Sequence, residues 1–284
     1  MLNAENLKMK VKTKAHDNKL EPQDIMQMYF FERLLYRISV SKYKYNFILK
    51  GGLLLSMLFG NERRTTQDMD TMIKGIDLDS VVIRKILSEI INIKCDDNVL
   101  FDIRNIKDIR LNDKYGGLRV KLVAFKEHLQ VPLSIDITVG DPITPRELNF
   151  KYKCMFEDAT INILTFNIET IIAEKFETLI TDNIMNTRTK DFYDLYILLT
   201  KFINSVDKST LLNAIKNTFR RRKTTFNLDK ICNTFELIKV NEQLKRNFIN
   251  FTNKKIYAKN IRYEEVMKAI EKVISCLKEN DNIK

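Results

Sequence analysis

Histidine is scarce in this 284-residue chain. His16 and His128 are the two it has, which makes a histidine zinc site or a histidine-activated nucleophile a poor expectation and leaves each to a loop or surface position. Cysteine is nearly as scarce. Cys95, Cys154, Cys232 and Cys276 stand far apart with no CxxC pair, which argues against a thiolate zinc site and a disulfide framework and fits a reducing cytosol. Long apolar runs are missing as well. The basic opening MLNAENLKMKVKTKAHDNK has no apolar core of the kind a signal peptide needs, and no later stretch approaches the length of a membrane span. A soluble, cytoplasmic protein with no membrane partner is the expectation. Neither a repeat of fixed period nor a low-complexity linker is visible.

What is present is a 44% hydrophobic composition, enough to bury a core in one large domain or two modest ones, and a formal charge of +11. That charge favours an anionic partner: a nucleic acid, a nucleotide or a membrane surface. The pattern along the chain changes once. After a polar leader, Pro22 to Ile38 has the three- and four-residue apolar spacing of an amphipathic helix. Phe47 to Leu49, a Gly51-Gly52 turn and Leu53 to Phe59 read as strand, turn and helix, and Asp68 to Ile73 as another strand. Leu78 to Ile93 is helical in period, whereas Val99 to Arg104, Leu118 to Phe125 and Val131 to Val139 are short strand patterns. Beyond about Asn167 helices dominate: Ile168 to Thr181, Arg188 to Ile203, Lys208 to Arg220, Leu228 to Ile238 and Glu264 to Leu277. The first half, residues 1–165, is therefore α/β or α+β and the second, 166–284, a helical domain; the fold class expected of the whole is α+β, a mixed sheet with flanking helices followed by helices.

The chemistry concentrates in GGLLLSMLFGNERRTTQDMD. Alternate residues of a strand share a face, so Asp68 and Asp70 present two carboxylates together while Met69 points away into a core. Two like charges this close need a cation, and hard oxygen donors suit Mg²⁺ or Mn²⁺, often completed by substrate phosphates. Gly51 and Gly52 let a phosphate approach the backbone at the start of the following helix. A third carboxylate, Asp136, interrupts the apolar strand LSIDITVGD and shares a face with Ser134 and Thr138. Any single aspartate of the three fits a solvated strand edge; the set points to function.

In IETIIAEKFETLI, Lys175 falls on the apolar stripe of Ile168, Ile171, Ile172, Phe176, Leu179 and Ile180. An unpaired ammonium there is costly. It therefore calls for an anion such as a triphosphate or a structural acid, unless it snorkels out at the stripe's edge. In RTKDFYDLYILLTKF, Asp191 borders a buried face. It suits a partner for Lys175, for a metal-bound water or for an acceptor hydroxyl, or a helix-terminal charge placed by the macrodipole. Asp194, three residues on, is a further candidate, although Arg188 and Lys190 nearby favour a solvated face for it.

Taken in order, LKGGLLL with RRTTQDMD, SIDIT, AEKFETL and RTKDFYDLY resemble the blocks of the AbiEii-type nucleotidyltransferase toxins, a branch of the polymerase β-like superfamily. The blocks cover roughly residues 47 to 200. The resemblance implies a metal-dependent transfer of nucleotides from a nucleoside triphosphate (NTP) to an acceptor, with Asp68, Asp70 and Asp136 holding Mg²⁺ or Mn²⁺ and Asp136 helping to deprotonate the attacking hydroxyl. It implies functional roles for Lys175 and Asp191, contributed by the helical domain to the active-site cleft. Many superfamily members have Gly-Ser where this chain has Gly51-Gly52, and relatives often have serine in place of Thr66. Phosphate contacts are therefore expected from the backbone of Gly51 and Gly52 or from Thr66 or Ser56, besides Lys175. For the acceptor the resemblance implies transfer RNA, with growth arrest or phage defence as the outcome and a transcriptional-repressor antitoxin as genetic partner. Two basic groups could contact RNA: Arg220, Arg221, Arg222 and Lys223 in one run, and Lys254, Lys255, Lys259 and Arg262 among Tyr257 and Tyr263. Solvated helix ends account for them equally well. Two other readings keep the same residues in view. One is a small-molecule, antibiotic-type nucleotidyltransferase; the other is a non-catalytic basic module on the same fold.

Overall fold

The computed structural model describes residues 2–60, 64–109, 116–185 and 188–281. Arg63, part of the RRTTQDMD block, lies outside them. The chain forms two compact units, Met1–Asp141 with Glu147–Thr165, and Pro142–Arg146 with Phe166–Lys284.

The first unit runs α1 (Ala4–Asn18), α2 (Pro22–Val40), β1 (Phe47–Lys50), α3 (Gly51–Phe59), β2 (Asp68–Ile73), α4 (Ser80–Ile91), β3 (Leu100–Ile109), β4 (Gly117–Lys126), β5 (Leu129–Thr138), β6 (Leu148–Lys153) and β7 (Thr160–Thr165). Its strands form one seven-stranded mixed sheet in the order β3-β4-β5-β2-β1-β7-β6. The pairs β2–β5 and β1–β7 are parallel, and the remaining neighbours are antiparallel. Alternation sorts the side chains of the central strands. Met69, Leu133, Ile135 and Ile137 are buried on one face, and α2 packs on β5 and β7. The polar residues Asp68, Asp70, Ser134 and Asp136 take the other face.

α2 also carries deeply buried charges. The Arg37 fork meets both oxygens of Asp97 at 2.8 Å and donates to the Val99 carbonyl at 2.7 Å. These two side chains are only 2% and 6% exposed. Arg33 reaches Glu32 and Glu157, each at 2.6 Å.

The second unit contains α5 (Ile168–Asp182), α6 (Thr189–Lys201), α7 (Lys208–Arg221), α8 (Leu228–Lys239), α9 (Glu242–Lys254) and α10 (Tyr263–Asp281). Asparagine or aspartate caps begin four of them: Asn167, Asp207, Asn227 and Asn241 each accept a backbone N–H in the first turn. Asn167 also donates to the carbonyls of Thr144 and Arg146, and so ties the 142–146 excursion to the helical unit.

Four elements run through segments that carry no strand or helix expectation. The polar leader is α1, where lysines at every second position mask buried Ala4, Leu7, Val11 and Ala15. In α9 the buried stripe is reduced to Leu244, Phe248 and Thr252. β6 and β7 are six residues each, and β6 is an edge strand with exposed Lys151 and Lys153, a common way of blunting an edge.

Candidate active site

Register brings the strand acids together. Asp70 on β2 lies opposite Asp136 on β5, and Asp68 lies opposite Ser134. Across the other edges of the same row, Lys50 on β1 faces Asp70 and Arg119 on β4 faces Asp136. A single cross-strand row therefore reads Lys50, Asp70, Asp136, Arg119, with Asp68 one pleat along. Asp68 is exposed, whereas Asp70 and Asp136 are partly covered.

The glycines are the first two residues of α3, and each leaves room that a side chain would fill. Gly51 has φ +66°, and a Cβ there would stand 2.0 Å from Asp70 Oδ2. At Gly52 a Cβ would lie 2.6 Å from Thr66 Oγ1 and 3.3 Å from Arg64 Nη2. The Gly52 N–H points to Asp70 Oδ2 at 3.4 Å. Thr66 is buried, and its hydroxyl donates to the Asp68 carbonyl at 3.1 Å, fixing the entry to β2. Ser56 is fully buried and donates to the Gly52 carbonyl at 3.0 Å, so it buttresses the glycine turn from within α3.

Two cations, Lys50 and Arg119, flank these acids. Burial pushes the Asp70 carboxyl above the usual carboxylate range, and Asp136 and Asp68 add to the rise against the opposing pull of Lys50. Lys50 Nζ is 2.8 Å from Asp141 Oδ2, and Thr138 Oγ1 donates to the same oxygen at 3.0 Å. Asp136 accepts both arms of the Arg119 fork, Nε to Oδ1 and Nη2 to Oδ2, each at 2.7 Å. The hydrogen bond and the charge of Asp136 hold that guanidinium still more firmly protonated.

The donor set suits a hard divalent cation. It consists of carboxylate oxygens on adjacent strands, and the buried Ser134 hydroxyl beside them has no hydrogen-bond partner among the described residues. Among the described residues no three acidic, histidine or cysteine groups are yet drawn around one point, and the Arg119 fork accounts for the orientation of Asp136.

In the helical unit, Lys175 Nζ sits 2.6 Å from Asp191 Oδ1 and 2.8 Å from Asp194 Oδ2. Arg188 reaches the other oxygen of Asp191 at 3.2 Å. Burial draws the Lys175 pKa down, but Asp194 and Asp191 outweigh it and keep the ammonium above the ordinary lysine range. The solvated position expected for Asp194 is wrong: its side chain is 0% exposed, because it lies three residues after Asp191 on the helix face that meets Lys175. Two members of the basic groups are engaged within the helical unit. Arg222 is committed to Glu177 and Thr178, and Tyr263 is buried with its hydroxyl on the Ile238 carbonyl at 2.7 Å, so it offers no face for stacking. Lys50, Arg64, Arg119 and Asp141 escape sequence reasoning. Lys50 and Arg64 flank the acids within the quoted blocks, but Arg119 and Asp141 join the site only through strand register and the end of β5.

Residues 33–269 match the family described as nucleotidyl transferase AbiEii toxin, type IV TA system, a span that holds all the acids above. The class is thereby set: this is a nucleotidyltransferase, acting on an NTP. The chain belongs to the AbiEii family of nucleotidyltransferase toxins of type IV toxin–antitoxin systems. No curated protein matches it. Two solved structures from Helicobacter pylori align with it. One, described as a candidate nucleotidyltransferase, has 13% identity over 93% of this chain and 99% of its own, with a TM-score of 0.49. The other, JHP933, has 14% identity over 93% and 97%, with a TM-score of 0.49. Among the described residues no helix is long and apolar enough to cross a membrane.

Proposed function

We propose that the protein is a divalent-metal-dependent toxin that transfers nucleotides from an NTP to an RNA acceptor, transfer RNA in the first instance, arresting growth or aborting phage infection. The carrying observation is the register of Asp70 with Asp136, with Asp68 on the same face and the Gly51–Gly52 turn beside them. Asp68, Asp70 and Asp136 would hold Mg²⁺ or Mn²⁺. A cation there supplies neutralisation of triphosphate charge and polarisation of the α-phosphoryl group. The glycine turn admits the triphosphate to the backbone amides at the start of α3, Thr66 fixes the strand that bears the acids, and Ser56 holds the turn. A carboxylate oxygen of Asp136 accepts the proton of the attacking hydroxyl. Lys175 and Asp191 are functional residues of the helical unit, with Lys175 held charged and in place by Asp191 and Asp194. The antitoxin, a transcriptional repressor, is the genetic partner.

An RNA acceptor is favoured by the +11 charge and by the open face of β3 and β4. There exposed Lys107 lies opposite Arg119, and exposed Lys121 lies opposite Ser134, on the face that carries the acids. The Lys107→Ala/Lys121→Ala variant is expected to raise KM for RNA with little change in kcat, and to flatten the salt dependence of RNA binding by a log–log slope of roughly 1.5. An unchanged slope removes this face from the acceptor path.

The reading is tested by incubating the protein with total RNA, Mg²⁺ or Mn²⁺, and each labelled NTP in turn. The expected product is a labelled band of transfer-RNA size that disappears with a chelator and in Lys175→Ala. Binding of NTP and Mn²⁺ without any labelled RNA would move the acceptor to a small molecule or a protein.

A further inference from the structure

Arg119 is unexplained by the transfer reaction as described, yet its contact is the most fully formed polar contact among the strand acids. Both arms of its fork bind Asp136 at 2.7 Å, so each carboxylate oxygen already has a charge-assisted partner. A divalent ion on the same carboxylate competes with the guanidinium for its charge and repels it at close range. Of the two partners, Arg119 is the one that can leave. Its side chain is 44% exposed, against 14% for Asp136, and a change of rotamer alone takes it from the carboxylate. In the same row Lys107 stands opposite it, so an arginine released from Asp136 joins a second cation, a placement that favours an anion between them.

We infer that Arg119 is a partner-exchanging residue: it holds Asp136 in the metal-free protein, yields that carboxylate when a divalent cation binds, and passes its guanidinium to phosphate oxygens of the triphosphate. The inference rests on the proposed metal-dependent transfer and adds an order to it, since Asp136 stays paired with Arg119 until a divalent cation arrives and the guanidinium is then free for the nucleotide. Asp136 thus avoids facing Asp70 and Asp68 as an uncompensated third charge.

The test is Mn²⁺ binding followed by electron paramagnetic resonance, without nucleotide, for the wild type, Arg119→Met and Arg119→Lys, each checked by thermal melting. Arg119→Met is expected to bind Mn²⁺ about five- to tenfold more tightly than the wild type, the scale of a well-formed, partly exposed ion pair. With Mn²⁺ saturating, the same variant should bind a non-hydrolysable NTP analogue about tenfold more weakly, because the guanidinium is gone. Arg119→Lys, which keeps the charge but not the fork, should fall between the two in both measurements and serves in place of Arg119→Met if that variant misfolds. In an Asp136→Asn background the Mn²⁺ gain from Arg119→Met should vanish. Unchanged or weaker Mn²⁺ binding by Arg119→Met, beside normal binding by the wild type, overturns the exchange and leaves the transfer reading standing. A wild type that binds no Mn²⁺ with or without nucleotide overturns both.

Discussion

Asp70→Asn is expected to lose transfer activity by on the order of a thousandfold or more while melting at or above the temperature of the wild type. The two halves of this result have one cause. Asp70 is held by the sheet between Lys50 and Asp136, and burial raises its pKa above the usual value. For a carboxyl the sign is definite. A raised folded-state value means that the folded protein binds more protons than the unfolded chain above the ordinary aspartate pKa, so stability falls as pH rises from that value through the raised folded one. An amide keeps the shape, removes the desolvated charge, and cannot serve as an anionic ligand. Activity and thermal melting on the same preparation check the prediction. A variant that retains transfer would remove Asp70 from the reaction, and one that merely unfolds would make it a structural residue.

The second large effect is on stability. Arg37→Met should cost the sheet unit about 4 kcal/mol, the usual consequence of leaving a buried charge without its partner, which corresponds to a fall of about 10 °C in melting temperature. Removing Arg37 takes the guanidinium from the Val99 carbonyl and from the Asp97 carboxylate, which keeps the Val99 N–H at 3.0 Å. Burial by itself would raise the Asp97 pKa; the fork and charge of Arg37 reverse this and hold it below the ordinary value. The contribution of this pair is therefore present above the unfolded carboxylate pKa and is lost as pH falls through the lowered folded value. Melting the wild type and Arg37→Met over an acid series should show the gap closing at the acid end. A gap that stays constant with pH would mean that packing of the arginine stem, and not the ion pair, supplies the stability.

Much of this architecture is legible in the sequence, and the exceptions have physical causes. β2 is readable because DMDTMI alternates against a buried Met69, and that alternation also gives the shared face of Asp68 and Asp70. Asp136 is visible as a charge in an apolar strand. Its nearness to Asp70 is not, because the parallel pairing of β2 with β5 joins segments more than sixty residues apart, and local pattern carries no register across that distance. Arg119 is hidden for the same reason: nothing in GGLRVKLVAF marks one cation over another until β4 is paired with β5. Lys175 is the opposite case. A lysine on an apolar stripe announces a buried anion, and the anions are Asp191 and Asp194. The sequence marks Asp191 as a possible partner through its position beside a buried face. Asp194 is harder to read, since one helical turn of RTKDFYD holds both signs of charge. The short strands β6 and β7 carry too few alternations to stand out from loop.

If the strand acids direct attack at the α-phosphorus of an NTP, the two ends of the triphosphate part company, and the most direct measurement follows them separately. Parallel reactions with α-labelled and γ-labelled NTP, RNA and Mg²⁺ should place the α label in RNA and the γ label in free pyrophosphate, with neither product formed by Asp68→Asn or Asp70→Asn. Transfer of the γ label to the acceptor, or an α label incorporated equally well by the two variants, would contradict the account.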